Sequence, residues 1–153
     1  MQYSYTMTAE VPTYTPSIGN FHELRLGLLD AGEILIDDIS VIEDPGGTNR
    51  ELMQNGSFDA GNAEYWRRIG THQLSKVVDT ERSPALKIIA SARMNYLNNL
   101  LESNLKSNGS RVAVKPGTDY QISFKAKWLK GSPQFRFELY YNQLKFCQLR
   151  VVM

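Results

Sequence analysis

Residues 111–131, RVAVKPGTDYQISFKAKWLKG, decide the fold class. After the PGTD turn the chain alternates strictly. Tyr120, Ile122, Phe124, Ala126 and Trp128 fall on one side, with Gln121, Ser123, Lys125 and Lys127 on the other. Successive strand side chains point to opposite faces, so one apolar and one polar set at period two describe a half-buried strand. A Gly-Ser-Pro turn follows, and residues 134–141, QFRFELYY, repeat the pattern. Phe135, Phe137, Leu139 and Tyr141 are expected inside, Arg136, Glu138 and Tyr140 outside. LKFCQLRVV, residues 144–152, offers a last strand.

Working outward, residues 32–66 read as a strand, a turn-rich linker and a polar loop: GEILIDDISVIE, DPGGTN, then RELMQNGSFDAGNAEYW. Pro45 lacks an N–H and Gly46-Gly47 favours a turn, so the strand must stop there. Leu35, Asp37, Ile39 and Val41 share one face, and Ile34, Ile36, Asp38 and Ser40 the other. Both faces are mixed, which suits an interior strand with one carboxylate in a polar site. Two adjacent Asp residues are unfavourable in a strand and call for compensation by water, a basic neighbour or a cation. Upstream, Leu24, Leu26 and Leu28 alternate with Arg25 and Gly27. The short Asp30-Ala31-Gly32 turn predicts a hairpin between this strand and the next. Tyr3, Tyr5 and Met7 alternate with Ser4, Thr6 and Thr8 in a first strand, and VPTYTPSIGN is a loop. Strands are also expected around Gln73–Val78 and in ALKIIASA. In residues 93–109 Leu97, Leu100, Leu101 and Leu105 fit helical spacing, but five Asn within residues 95–108 weaken a helix, leaving strand and loop. Short alternating strands between regular turns predict an all-β antiparallel sandwich.

The 153 residues suffice for one domain with a real core. No run approaches a membrane span, and the N-terminus lacks the basic and apolar regions of a signal peptide, reading as the start of a fragment. The single cysteine, Cys147, excludes an internal disulfide and a cysteine metal cluster. Net charge is +1 but unevenly spread. Residues 1–105 hold 8 Lys/Arg against 14 Asp/Glu, and residues 106–153 hold 9 against 2. A basic C-terminal third could attract an anionic polymer, but its cations alternate with apolar residues as solvated strand faces do, so nucleic acid is not expected as a partner.

Three stretches together resemble carbohydrate-binding modules with the galactose-binding-like jelly-roll fold. QNGSFDAG followed by YW is similar to the opening segment of such modules, VKPGTDYQISFKAKW to their central hairpin, and AGEILIDDISV to their closing strand. More narrowly, the chain looks similar to modules of large bacterial surface proteins with lamin-tail or spore-coat-kinase-like domains. The order departs from the family, because the closing pattern precedes the opening one. Either the chain joins the tail of one module to most of the next, or it is one permuted sandwich over 1–153. In the second reading residues 1–44 supply the closing strands and 51–153 the opening and central ones. The second is preferred, since residues 1–42 would otherwise expose apolar strand faces and unpaired edges.

The resemblance implies a non-catalytic module of a larger extracellular or cell-surface protein that binds polysaccharide or oligosaccharide, beside tandem modules of the same parent and without membrane contact. It implies a structural Ca²⁺ held by Asp37, Asp59 and oxygens near Asn55, Ser57 and Gly61, although the family usually has Glu where this chain has Asp59. Sugar binding needs an aromatic platform beside planar polar groups. The candidates are Trp66, Arg68, His72, Asn95, Tyr96, Asn98, Arg136 and Tyr140. Trp66 and Trp128 match family positions that are usually core. The alternative is a structural or protein-interaction spacer without a sugar site. Catalysis is not expected. His22 and His72 are the only histidines, no G-x-S-x-G frames a serine, and no P-loop or dinucleotide fingerprint is present. Asn-Gly-Ser occurs at Asn55 and Asn108, as a turn or a glycosylation sequon.

Overall fold

A computed structural model describes residues 1–9, 22–93, 99–139 and the backbone of 147–150. Two antiparallel sheets pack face to face. The first contains β1 (Gln2–Thr8), β11 (Asp119–Gly131), β3 (Gly32–Glu43), β7 (Ala85–Ala90) and β6 (Lys76–Val78) in that order, with the short β4 (Arg50–Glu51) also paired to β3. The second runs β13 (Cys147–Arg150), β12 (Gln134–Leu139), β2 (Glu23–Leu28), β8 (Leu101–Asn104) and β5 (Trp66–Arg68). A two-stranded hairpin, β9 (Lys106–Ser107) and β10 (Ser110–Arg111), lies apart. The all-β antiparallel sandwich read from the alternation is the observed class. Among the described residues the sole helical element is a 3₁₀ turn, Gly70–His72, so no helix there is long enough to cross a membrane.

Residues 2–8 and 23–43 are woven into both sheets. β3 lies between β11 and β7, and β2 between β12 and β8. The hairpin expected between β2 and β3 does not form, because the two strands belong to different sheets. The Asp30–Gly32 turn carries the chain across the sandwich, as the Gly131–Pro133 turn does between β11 and β12. These crossings touch. Gly131 pairs with Gly32, and Ser132 N donates to Ala31 O at 2.8 Å. A Cβ on Gly131 would lie 2.5 Å from both Ala31 O and Gly32 Cα, and the backbone there has φ +76. Only glycine meets both conditions.

The mixed faces of β3 have a single cause. Between Ser40 and Asp37 the register with β11 shifts by one residue. Asp38 sits in the left-handed region at φ 49, a conformation Asp tolerates better than most residues. The extra residue resets the alternation. Ile34 and Ile36 before the bulge, and Ile39 and Val41 after it, all enter the core. Ile39 N turns to Gly56 O at 3.0 Å, which holds the IDDIS strand against the NGSFD loop.

Between the sheets, Leu24, Leu26 and Leu28 of β2 meet Ile36, Val41, Leu86, Ile88, Tyr120, Ile122 and Phe124 of the first sheet. Phe124 and Phe137 lie 4.3 Å apart by ring centroid, and Phe135 meets Phe137 edge-on at 4.7 Å. Trp128 departs from the expected inner face of β11 and is 37% exposed. A second register shift with β3 follows it, between Trp128 and Lys130.

Candidate functional site

Of the residues expected to bind sugar, Trp66, Arg68, His72 and Arg136 are described, and Trp66, His72 and Arg136 among them are buried. Trp66 is buried against Phe58, with ring centroids 5.8 Å apart, and its Nε1 donates to Asn55 O at 3.2 Å. His72 has 0% exposure. Its Nε2 accepts the Leu28 N–H at 3.0 Å, which leaves the proton on Nδ1, 3.2 Å from Thr71 Oγ1. Burial lowers its pKa from 6.5 to about 4, so it is a neutral structural acceptor in the core. Arg68 is exposed on edge strand β5, and its Nη1 donates to Ser75 O at 3.0 Å. Asn95, Tyr96, Asn98 and Tyr140 lie outside the described residues.

Arg136 corrects the expectation of an outward, solvated side. It is 5% exposed, and Glu138 beside it is 2% exposed. Both belong to a network of charges set by cross-strand register. Glu138 pairs with Arg25, Arg25 with Glu102, and Glu102 with Arg67, a row of alternating charge across β12, β2, β8 and β5. Arg25 Nη1 lies 3.2 Å from Glu138 Oε1, Arg67 Nη2 lies 2.5 Å from Glu102 Oε1, and Arg136 Nη2 lies 2.6 Å from Glu138 Oε2. Burial pushes the Glu138 and Glu102 carboxyls up, against the pull of their arginines. Opposite charges facing each other on one sheet face stabilise the pairing of these strands.

Several of the groups implied as Ca²⁺ ligands are hydrogen-bonded within the seam between β3 and the loop. Asp37 Oδ1 accepts Asp38 N at 2.8 Å and Oδ2 accepts Ser83 Oγ at 3.1 Å, and burial raises its pKa. Asp59 Oδ2 accepts Ser57 Oγ at 2.7 Å. Asn55 O takes the Trp66 indole, and Gly61 N donates to Phe58 O at 2.8 Å. Ca²⁺ takes six to eight oxygens. Among the described residues no three Asp, Glu, His or Cys gather as a metal site. No role below depends on an ion at this seam.

A cleft that the strand reading missed opens at one end of the first sheet. Antiparallel β3 and β11 place the turn after one beside the turn before the other, since Glu43 pairs with Tyr120. Two Pro-Gly turns, 44–49 and 115–119, therefore become walls of a cleft of about 480 Å³. Glu43, 3% exposed, forms its floor. Arg50 Nε donates to Glu43 Oε2 at 2.6 Å, with Nη2 on the same oxygen, and Lys115 Nζ lies 3.0 Å from Oε1. Tyr120, its hydroxyl raised in pKa by burial, receives the Lys115 N–H at 2.9 Å. Asp44, at φ 52, accepts Thr48 N at 2.8 Å, and Asp119 accepts Thr8 Oγ1 at 2.5 Å. A Cβ on Gly47 would lie 2.3 Å from Asp44 Oδ2, so the turn closes tightly round that carboxylate. Carboxylates and cations thus share one concavity. Its sequence signal is the pair EDPGGTN and KPGTD, legible only once β3 and β11 are known to be partners.

The same pairing sets three lysines of the basic third against acids of β3. Lys125 meets Asp38 at 2.5 Å, Lys130 meets Glu33 at 2.9 Å and Lys115 meets Glu43. No family model, curated protein or solved structure matches the chain.

Proposed function

We propose that the chain is a non-catalytic carbohydrate-binding module of a larger secreted or surface protein, and that the cleft between the two Pro-Gly turns takes the sugar. The observation that carries this reading is the mixed lining of that cleft. Each sugar hydroxyl both donates and accepts. Asp44 and Asp119 offer acceptors, Arg50 and Lys115 offer donors, and Thr48 and Thr118 offer both. A volume of about 480 Å³ falls in the range of small-molecule sites. The cleft stands in for the aromatic platform expected from the sequence.

The test is retention on insoluble polysaccharides together with a glycan array, using the wild type and Lys115→Ala. Lys115 is exposed, and Arg50 still holds Glu43 in its absence, so the variant keeps the fold. Retention by at least one glycan, weakened in the variant, is the expected outcome. Absence of retention on every glycan removes the proposal.

A second reading, a spacer module without a sugar site, is favoured by one observation. Trp66, His72 and Arg136 hold the sandwich together rather than facing a ligand. The binding experiment separates the two.

A further inference from the structure

The tripeptide Asn-Gly-Ser occurs twice, at residues 55–57 and 108–110. Asn-Gly is the dipeptide most open to intramolecular attack on the asparagine amide, because glycine places no side chain in the way of its own nitrogen. The local chemistry is the same at both sites, so any difference between them comes from the fold.

Asn108 and Gly109 form the two-residue turn between β9 and β10, with φ 50 and 79, the left-handed pair of a tight hairpin turn. Both are exposed. A Cβ on Gly109 would meet nothing within 4 Å. Among the described residues no hydrogen bond holds the Asn108 side chain. The hairpin has only two residue pairs, Ser110 with Ser107 and Arg111 with Lys106, so the turn opens at low cost.

Asn55 is held on every side. Its Nδ2 donates to Asn62 O at 3.0 Å and to Glu64 O at 3.2 Å, and its carbonyl accepts the Trp66 indole. Gly56 O accepts Ile39 N, and Gly56 is wedged so tightly that a Cβ would lie 1.9 Å from Ile39 O. Swinging Gly56 N onto the Asn55 side chain requires breaking these contacts together.

We propose that Asn108 is a modification site, converting spontaneously through a succinimide to aspartate and isoaspartate, while the fold protects Asn55. Gly109 N loses its proton and bonds to Asn108 Cγ, and the side-chain nitrogen leaves as ammonia. Water then opens the ring. Cleavage of the Cγ–N bond gives aspartate, and cleavage at the backbone carbonyl gives isoaspartate. Each conversion places a carboxylate between Lys106 and Arg111 and takes the formal net charge from +1 to zero.

The experiment incubates native protein in mildly alkaline buffer, beside a sample in urea and an Asn108→Gln variant. Isoelectric focusing and peptide mass mapping resolve the two sites. In native protein Asn108 converts and Asn55 is slower by more than about tenfold, the ratio set by the opening equilibrium at Asn55. In urea both convert at similar rates. The variant shows no acidic species arising from native protein. Native conversion of Asn55 as fast as Asn108 overturns the proposal. So does an Asn108 that stays intact in native protein yet converts in urea.

Discussion

Replacing His72 by Gln should remove a defined part of the acid sensitivity of this protein. The folded chain buries the neutral imidazole, whose Nε2 receives the Leu28 N–H, and holds its pKa near 4 against 6.5 in the unfolded chain. Between those values the unfolded state binds more protons, so stability rises with pH. The contribution is complete above about pH 6.5 and is lost progressively as pH falls towards 4. At 1.36 kcal/mol per decade the whole loss is about 3 kcal/mol, with about 2 kcal/mol gone by about pH 5. Asp37, Glu102 and Glu138, raised by burial, act in the opposite direction, since folded carboxyls that hold protons gain stability on acidification. They act equally in wild type and variant, so the difference between the two isolates His72. The assay is urea unfolding of both proteins across this pH window. His72→Gln retains an acceptor, Oε1, for the Leu28 N–H but replaces the packed imidazole by a more flexible chain, and should begin less stable at neutral pH by about 1–3 kcal/mol. The gap should close as pH falls. Parallel stability curves would refute the buried neutral imidazole.

Two further substitutions probe the frame. Gly56→Ala forces a methyl group against Ile39 O, 1.9 Å away in the native geometry, and should cost about 1–3 kcal/mol in denaturant unfolding. An unchanged midpoint would mean the seam between β3 and its loop is loose. Glu138→Ala leaves the buried Arg25 and Arg136 without this carboxylate and should cost about 3–5 kcal/mol. A loss below about 1 kcal/mol would show that the charge row does not hold the second sheet.

Much of the strand pattern was legible because alternation is local. Tyr120, Ile122 and Phe124 face inward, as do Phe135, Phe137 and Leu139, and in each case the neighbouring residues alone predict it. The half-buried Tyr3, Tyr5 and Met7 of β1 follow the same rule. β3 escaped the rule because the bulge at Asp38 reverses the phase, and a phase reversal looks like a mixed face. The candidate site was less legible. Trp66 and His72 have the right chemistry for a ligand, but their burial depends on Phe58 and Leu28, which are distant in sequence or separated by a turn.

The sequence by itself determined the class: short strands of period two, broken at Pro and Gly, can bury their apolar sides only by stacking sheets. Which strands became partners was decided by the tertiary structure. The chain crosses at Gly32 and Gly131 instead of closing a hairpin, and that choice sets every cross-strand neighbour. It places Glu43 beneath Arg50 and Lys115, and Arg25 between Glu138 and Glu102. Charges far apart along the chain act on one another only after register brings them within a few ångströms, because electrostatic attraction falls with distance and is screened by solvent.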